Sequence, residues 1–456
     1  MVDVVGAAES ARQQRRAAGG LRAAGLRAGD RVAVLARPSP GLLALVLGAL
    51  RTGIVPVLLD PAAPPSEQAE LLADARPALT VTGGAVPTMA DGAVPTVAEH
   101  ATLAGLLDAA PAELAAVPLA RPMHYTSGTT GRRKGVWSGV LTEGSAKALL
   151  AEETELWGFH PGDRHLVVSP LHHSAPLRFA TGTLMAGGTV ALGGPFDAAR
   201  TLDLLTTFRP TTLFCVPTQL RRLMAAADAG GGLPPLGQLR LLAHAAEACP
   251  PGLKRRLIDE LPPGSVSEFY GSTEAQFTVC SSQEWLDRPG TVGRARPGRR
   301  LRVDGDRLVW CRLPPYARFS YWGDPAKTAA AWRGDELTVG DLGRIGGDGY
   351  LYLDGRREDL VISGGVNVYP GEVERVLAAC AGVEQVAAFG VADEQWGQRL
   401  CAAVVGDATE QALADFARRN LSAAKRPKAY YKVGQLPTTA TGKVRRLDLP
   451  GLLGLG

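Results

Sequence analysis

The densest run of chemistry-bearing residues is His124-Tyr125-Thr126-Ser127-Gly128-Thr129-Thr130-Gly131-Arg132-Arg133-Lys134-Gly135. Glycines let a backbone approach a phosphate closely, and successive N–H groups in such a run form an anion-binding nest. The hydroxyls of Thr126, Ser127, Thr129 and Thr130 add donors, and Lys134 adds a positive charge. The run does not fit the Walker pattern, which requires Ser or Thr after its lysine, because Gly135 stands there. A flexible loop of the same composition is the alternative reading.

Further segments follow in a telling order: Tyr270-Gly271-Ser272-Thr273-Glu274, Val339-Gly340-Asp341-Leu342-Gly343, Asp354-Gly355-Arg356-Arg357-Glu358-Asp359, Ser363-Gly364-Gly365-Val366-Asn367, and Pro437-Thr438-Thr439-Ala440-Thr441-Gly442-Lys443. Taken with the glycine-rich run, this series resembles the adenylate-forming superfamily, in its acyl-CoA synthetase (AMP-dependent acid–CoA ligase) branch. The resemblance spans nearly the whole chain. It implies an enzyme that converts a carboxylic acid and ATP to acyl-AMP and pyrophosphate, then passes the acyl group to the thiol of coenzyme A. Such chemistry must bring two anions together, so preorganised donors and cations are needed where charge develops.

By resemblance, Thr126, Ser127, Gly128, Thr129, Thr130 and Lys134 hold the ATP phosphates. Ala245, Ala246, Tyr270, Gly271, Thr273, Asp341 and Arg356 complete the nucleotide site, with Tyr270 on adenine and Asp341 on the ribose diol. Glu274 is the expected Mg²⁺ ligand, a hard oxygen suited to that ion. Lys443 is the expected adenylation lysine, bridging the carboxylate and the α-phosphate. Glu358 falls at the hinge, where the family commonly has aspartate, and Gly364 lies in the loop expected beside the thiol. The bland alternatives are a helix-start acid for Glu274, a turn residue for Asp341, a surface arginine for Arg356 and an exposed lysine for Lys443.

The segment Pro170-Leu171-His172-His173-Ser174-Ala175-Pro176 matches the part of the family that borders the acid, with His173 facing the substrate. No Asp or Glu occurs between Leu171 and Gly188, so a substrate ammonium would find no partner there. An α-amino acid is therefore not expected, and a hydrophobic or fatty acid is. Phe277 is an expected neighbour of the acyl pocket. Arg178 is either a recogniser of a second carboxylate or a surface residue. A carrier-protein phosphopantetheine is the alternative acceptor, and a nucleotide-binding protein without turnover is the alternative of another class.

These residues need elements to position them. Arg31–Leu35, Val55–Leu59 and Ala78–Val81 read as strands, with helices at 41–51 and at 66–72, the latter capped by Ser66. The rhythm resumes with strands at 165–169, 189–192, 211–216 and 239–243. Strands alternating with helices imply parallel sheets covered on both faces, with ligands at the strands' C-terminal ends. From about Arg288 the pattern turns β-rich, with Asp304-Gly305-Asp306 signalling a hairpin between 300–303 and 307–311. The last unit mixes a helix at 371–380, strands at 386–391 and 400–405, and a helix at 410–419. The expected fold is thus α/β with a β-rich unit. A large N-terminal AMP-binding domain, 1–357, holds two doubly wound subdomains and a β-barrel-like subdomain, and a small mobile α+β lid domain covers 358–456. The stretch 83–95 reads as a loop. The start is short for the family, with its first helix at 11–26, so an N-terminal strand is expected to be absent.

The 456 residues carry a formal net charge of +4, too slight an excess to argue for nucleic acid. Six scattered cysteines without a C-x-x-C pair fit free thiols in a reducing cytoplasm, and seven histidines show no metal-ligand spacing. The N-terminus lacks the apolar core of a signal peptide, and no apolar run reaches the length of a membrane span.

Overall fold

Pro40–Leu50 shows how this sequence makes its core. Ser39 accepts a hydrogen bond from the Leu42 N–H and a proline opens the first turn, two strong start signals. Every residue from Leu42 to Leu50 is buried, so the helix has no polar face and lies inside the protein. It packs on the parallel sheet Val55–Leu58, Arg31–Leu35, Leu79–Thr82, Glu99–Thr102, in that order. The computed structural model describes residues 2–83, 99–126, 134–356, 359–363, 366–394, 396–438 and 444–455. Most of the expected 83–95 loop lies outside the described residues.

A second sheet has eight strands in the order Asp3–Gly6, Thr189–Leu192, Arg164–Val167, Thr212–Cys215, Leu241–His244, Val266–Gly271, Gln276–Ser281, Arg294–Ala295. Its five central strands are parallel, and the flanking ones are antiparallel. An N-terminal strand is therefore present, contrary to expectation. Asp3–Gly6 pairs along Thr189–Leu192, and four edge residues are too few to show a period of two. The following helix runs Ala7–Ala23, earlier than expected, and ends ahead of Gly25, whose φ is 82°. Ser66 does not cap its helix: Pro64 is the cap and Pro65 the first helical residue, a position proline suits.

The β-rich unit holds the expected hairpin, Arg300–Val303 against Val309–Arg312. Asp304 closes its turn by accepting from the Asp306 and Leu308 N–H groups and from the Trp310 indole. Glu336–Leu337 and Trp332–Arg333 complete this four-stranded sheet, and Asp341–Ile345 pairs with Leu351–Arg356 beside it. The C-terminal residues build a five-stranded sheet flanked by helices Pro370–Leu377 and Glu410–Asn420. Two clusters, one around Val373 and Leu400 and one around Phe389 and Leu449, form its core, distinct from those of the preceding residues. Among the described residues, no helix is long and apolar enough to cross a membrane.

Candidate active site

The two ends of the glycine-rich run lie on paired strands. His124–Thr126 and Lys134–Trp137 are antiparallel, and Thr126 stands opposite Lys134. Ser127, Gly128, Thr129 and Thr130 lie outside the described residues. The hairpin is anchored from below. The Tyr125 hydroxyl donates to Asp74 at 2.6 Å, the Trp322 indole donates to the Asp74 carbonyl, and the Trp322 N–H donates to the Gly135 carbonyl. A Cβ on Gly135 would stand 2.6 Å from the Met123 methyl, so any larger residue there would require that side chain to shift.

Gly271 makes a similar approach at the end of Val266–Gly271: a Cβ there would meet the Ala275 carbonyl at 2.4 Å. The Ser272 N–H donates to that carbonyl and closes a tight turn that carries Thr273 and Glu274. Glu274 is buried, and the Tyr321 hydroxyl donates to its Oε1 at 2.9 Å. Tyr321 belongs to the strand that pairs with Lys134–Trp137. One tyrosine thus ties the expected metal ligand to the hairpin that flanks the glycine-rich run. No group of three His, Cys, Asp or Glu side chains suited to a metal occurs among the described residues. A single buried carboxylate fits Mg²⁺, which takes one or two protein carboxylates and fills its shell with water and phosphate oxygens.

The expected nucleotide residues converge from four segments. The Tyr270 hydroxyl donates to Asp341 Oδ2 at 2.6 Å, and Asp341 stands opposite Arg356 in the antiparallel pair. Ala245 is buried, and Ala246 follows it with φ 82°, a strained value for a residue with a Cβ. Phe277 is fully buried in the β-rich core, meets the Tyr270 ring edge-on at 5.5 Å, and is not among the residues lining the cavity described below.

His173 caps the helix Ser174–Met185, and its ring lies 4.3 Å from that of His172. His124 Nδ1 donates to the His172 carbonyl at 2.9 Å, which fixes its tautomer. Burial pushes His124 down to about 4, so the imidazole is neutral at ordinary pH. Beside these residues is a cavity of ≈170 Å³ lined by Thr273, Glu274, His124 and one face of the helix: Ser174, Leu177, Arg178, Thr181, Gly182 and Met185. Arg178 is therefore a cavity residue rather than a surface one. Arg121, Gln276, Arg296 and Arg299 share this wall, and sequence reasoning missed them together with His124. Only Arg178, two residues beyond the His173 segment, gave a signal.

Lys443, Glu358 and Gly364 lie outside the described residues. Their described neighbours are tied together. Thr438 and Val444 form an antiparallel bridge, and Arg446 pairs with Asp359 at 2.9 Å and with Glu374 at 2.8 Å. Burial pushes the thiols of Cys215, Cys249, Cys280 and Cys311 up, away from nucleophilic thiolate character.

Comparison with known proteins agrees with this geometry. Residues 7–309 match the AMP-binding enzyme family, and residues 372–443 match the AMP-binding enzyme C-terminal domain. A feruloyl-CoA synthase of an Amycolatopsis species is 33% identical, with 96% of this chain and 91% of the relative covered. A fatty acid–[acyl-carrier-protein] ligase, ScoC of Streptomyces coeruleorubidus, is 29% identical over 96% of this chain and 89% of its own. The crystal structure of ATP-bound MatB from Rhodopseudomonas palustris superposes with a TM-score of 0.84 at 30% identity, covering 98% and 93% of the two chains. The protein is a member of the AMP-binding enzyme family, in the acyl-CoA synthetase branch of the adenylate-forming enzymes.

Proposed function

We propose that the protein activates an aryl or other hydrocarbon-framed carboxylic acid with ATP and transfers it to coenzyme A. In the first step a carboxylate oxygen attacks the α-phosphorus, the α–β anhydride bond breaks, and pyrophosphate leaves. In the second the thiol sulfur attacks the acyl carbon, AMP leaves, and the thiol proton goes to solvent. The observation that carries this reading is the Tyr321 hydrogen bond to Glu274, which holds a buried carboxylate against the strand pair whose ends are Thr126 and Lys134. The name of the feruloyl-CoA synthase relative and the leucines of the cavity support an acid with an apolar body.

The chain's own residues divide the work. Thr126 and Lys134, with the residues between them, hold the triphosphate. Tyr270 stacks on adenine and steadies Asp341, which accepts from the ribose hydroxyls with Arg356 beside it. Ala245 and Ala246 border the base, and Thr273 lies by the phosphates. His173 faces the acid's carboxylate. When bound, Mg²⁺ offsets phosphate charge, and Glu274 is the residue to hold it. Residues 1–357 form the adenylation domain, and 358–456 form a lid that turns at Glu358; the separate C-terminal core supports that division. The lid presents Lys443 for adenylation and the loop at Gly364 for thiol transfer.

Acid-dependent exchange of labelled pyrophosphate into ATP, measured over a panel of acids, tests the first step. Lys443→Ala is expected to abolish exchange while preformed acyl-AMP still acylates coenzyme A. Equal loss of both half-reactions would contradict the division of labour. A carrier-protein phosphopantetheine ends in the same thiol arm, and the ScoC relative bears an acyl-carrier-protein ligase name. Thioester rates with free coenzyme A and with holo-carrier protein decide between the two acceptors.

A further inference from the structure

A buried polar cluster joins the two strands that lead to Ala245-Ala246 and to Tyr270, and the chemistry above makes no use of it. Lys254, on the helix Pro251–Glu260, is fully buried. Its ammonium donates to Glu268 at 3.1 Å and to His244 Nε2 at 2.7 Å. His244 is the last residue of Leu241–His244, and Glu268 lies in Val266–Gly271. The two strands are parallel neighbours, and His244 stands directly opposite Glu268. One lysine therefore holds both strands at matching positions.

This is a costly way to fasten two strands. Burial, with the Lys254 charge, holds His244 well below the ordinary histidine range, so the ring is neutral. Because Nε2 accepts, the proton is on Nδ1, which is buried with no hydrogen-bond partner among the described residues. Apolar side chains of similar volume would join the strands without an unpaired donor, and buried ion pairs are often no more stabilising than such replacements. What directional bonds add is a fixed geometry. The neighbouring residues need one. Ala246, two residues past His244, holds φ 82°, and such strain persists only where the surroundings over-determine it. Tyr270, two residues past Glu268, must place its hydroxyl 2.6 Å from Asp341 on another sheet.

We propose that Lys254, His244 and Glu268 are positioning residues for nucleotide binding, fixing the separation of Ala245-Ala246 from Tyr270 so that the base fits between them. This deepens the proposed nucleotide site and rests on that reading of Ala245, Ala246 and Tyr270. The three residues act through the strand ends and not on the reacting atoms. Loosening them weakens the grip on the nucleoside shared by ATP and AMP and leaves the acid end alone. KM for ATP then rises while kcat holds, because the same contacts are made in the ground and transition states.

The test combines AMP binding by calorimetry, pyrophosphate exchange and thermal unfolding of the full chain. His244→Leu removes the Lys254 bond and the unpaired Nδ1–H, and it leaves the Lys254–Glu268 pair in place. It should melt at or above the wild-type temperature. It should nevertheless bind AMP roughly tenfold more weakly, with KM for ATP raised to match and with kcat and KM for the acid unchanged. His244→Gln, whose side-chain oxygen can accept from Lys254, should restore most of the affinity. Lys254→Met combined with Glu268→Leu removes both charges together and should also bind AMP weakly. Unchanged AMP affinity in His244→Leu would overturn the proposal, and so would an affinity that simply followed melting temperature across the variants. Tyr270→Ala controls for the underlying reading. If it weakens AMP binding and His244→Leu does not, the positioning role alone fails. If Tyr270→Ala binds AMP as the wild type does, the placement of Tyr270 on the base fails as well.

Discussion

Two places in this protein bury cations, one with a single carboxylate and the other with a shared array. Lys254 is fully buried on the helix Pro251–Glu260, where its ammonium donates to Glu268 at 3.1 Å and to His244 Nε2 at 2.7 Å. Burial and Lys254 together push His244 well down, so the ring stays neutral and accepts. Charge is balanced, and the arrangement ties the strand before Ala245-Ala246 to the strand that ends at Tyr270-Gly271. In the cavity wall Arg296, also fully buried, shares Glu152 and Glu153 with Arg299, so several groups spread the charge that one pair carries at Lys254.

The largest test of this contrast is Lys254→Met. It strands a buried Glu268 carboxylate and is expected to cost about 3–5 kcal/mol of stability, read as a lower urea midpoint. Lys254→Met combined with Glu268→Leu should recover much of that loss, because both partners are then removed. A silent Lys254→Met would show that the Lys254–Glu268 pair does not hold the scaffold.

Each of two buried histidines contributes a somewhat smaller effect in acid. Burial pushes both His124 and His165 down to about 4. The unfolded chain, with ordinary histidine near 6.5, therefore binds more protons than the folded one between those values. Stability is full above pH 6.5 and falls as pH drops toward 4, by about 3 kcal/mol for each histidine. His165→Asn should flatten the decline measured by denaturation at stepped pH. An unchanged slope would show that His165 is not the proton sink.

The contrast also explains what the sequence could disclose. The expected nucleotide residues sit in short contiguous motifs, because a tight turn such as Gly271–Ala275 needs particular residues next to one another. Its strands were legible for the same local reason: Arg31–Leu35 and Thr189–Leu192 have the bounds their apolar runs imply. The cavity wall draws Arg121, Arg178, Gln276 and Arg296 from four separate stretches, and only folding puts them together. In an arginine-rich chain no pattern separates a cavity arginine from a surface one. Phe277, next to a motif, was expected near the acyl pocket, but strand alternation turns it into the core. The edge strand Asp3–Gly6 was hidden for want of length.

The smallest effect sharpens the nucleotide side of the comparison. Tyr321→Phe deletes only the hydroxyl that donates to Glu274, and the ring's packing against Phe319 remains. A hydrogen bond to a charged group contributes about 1.5–3 kcal/mol, so adenylation should slow by roughly tenfold to a hundredfold. The loss should fall on pyrophosphate exchange, with a raised requirement for Mg²⁺, and it should be the same for every acid tested. Transfer from preformed acyl-AMP to coenzyme A should be untouched, because no triphosphate remains to be held. A loss that depended on the acid would mean that Glu274 serves the arginine wall rather than the phosphate hairpin, and the two ends of the site would no longer be separable.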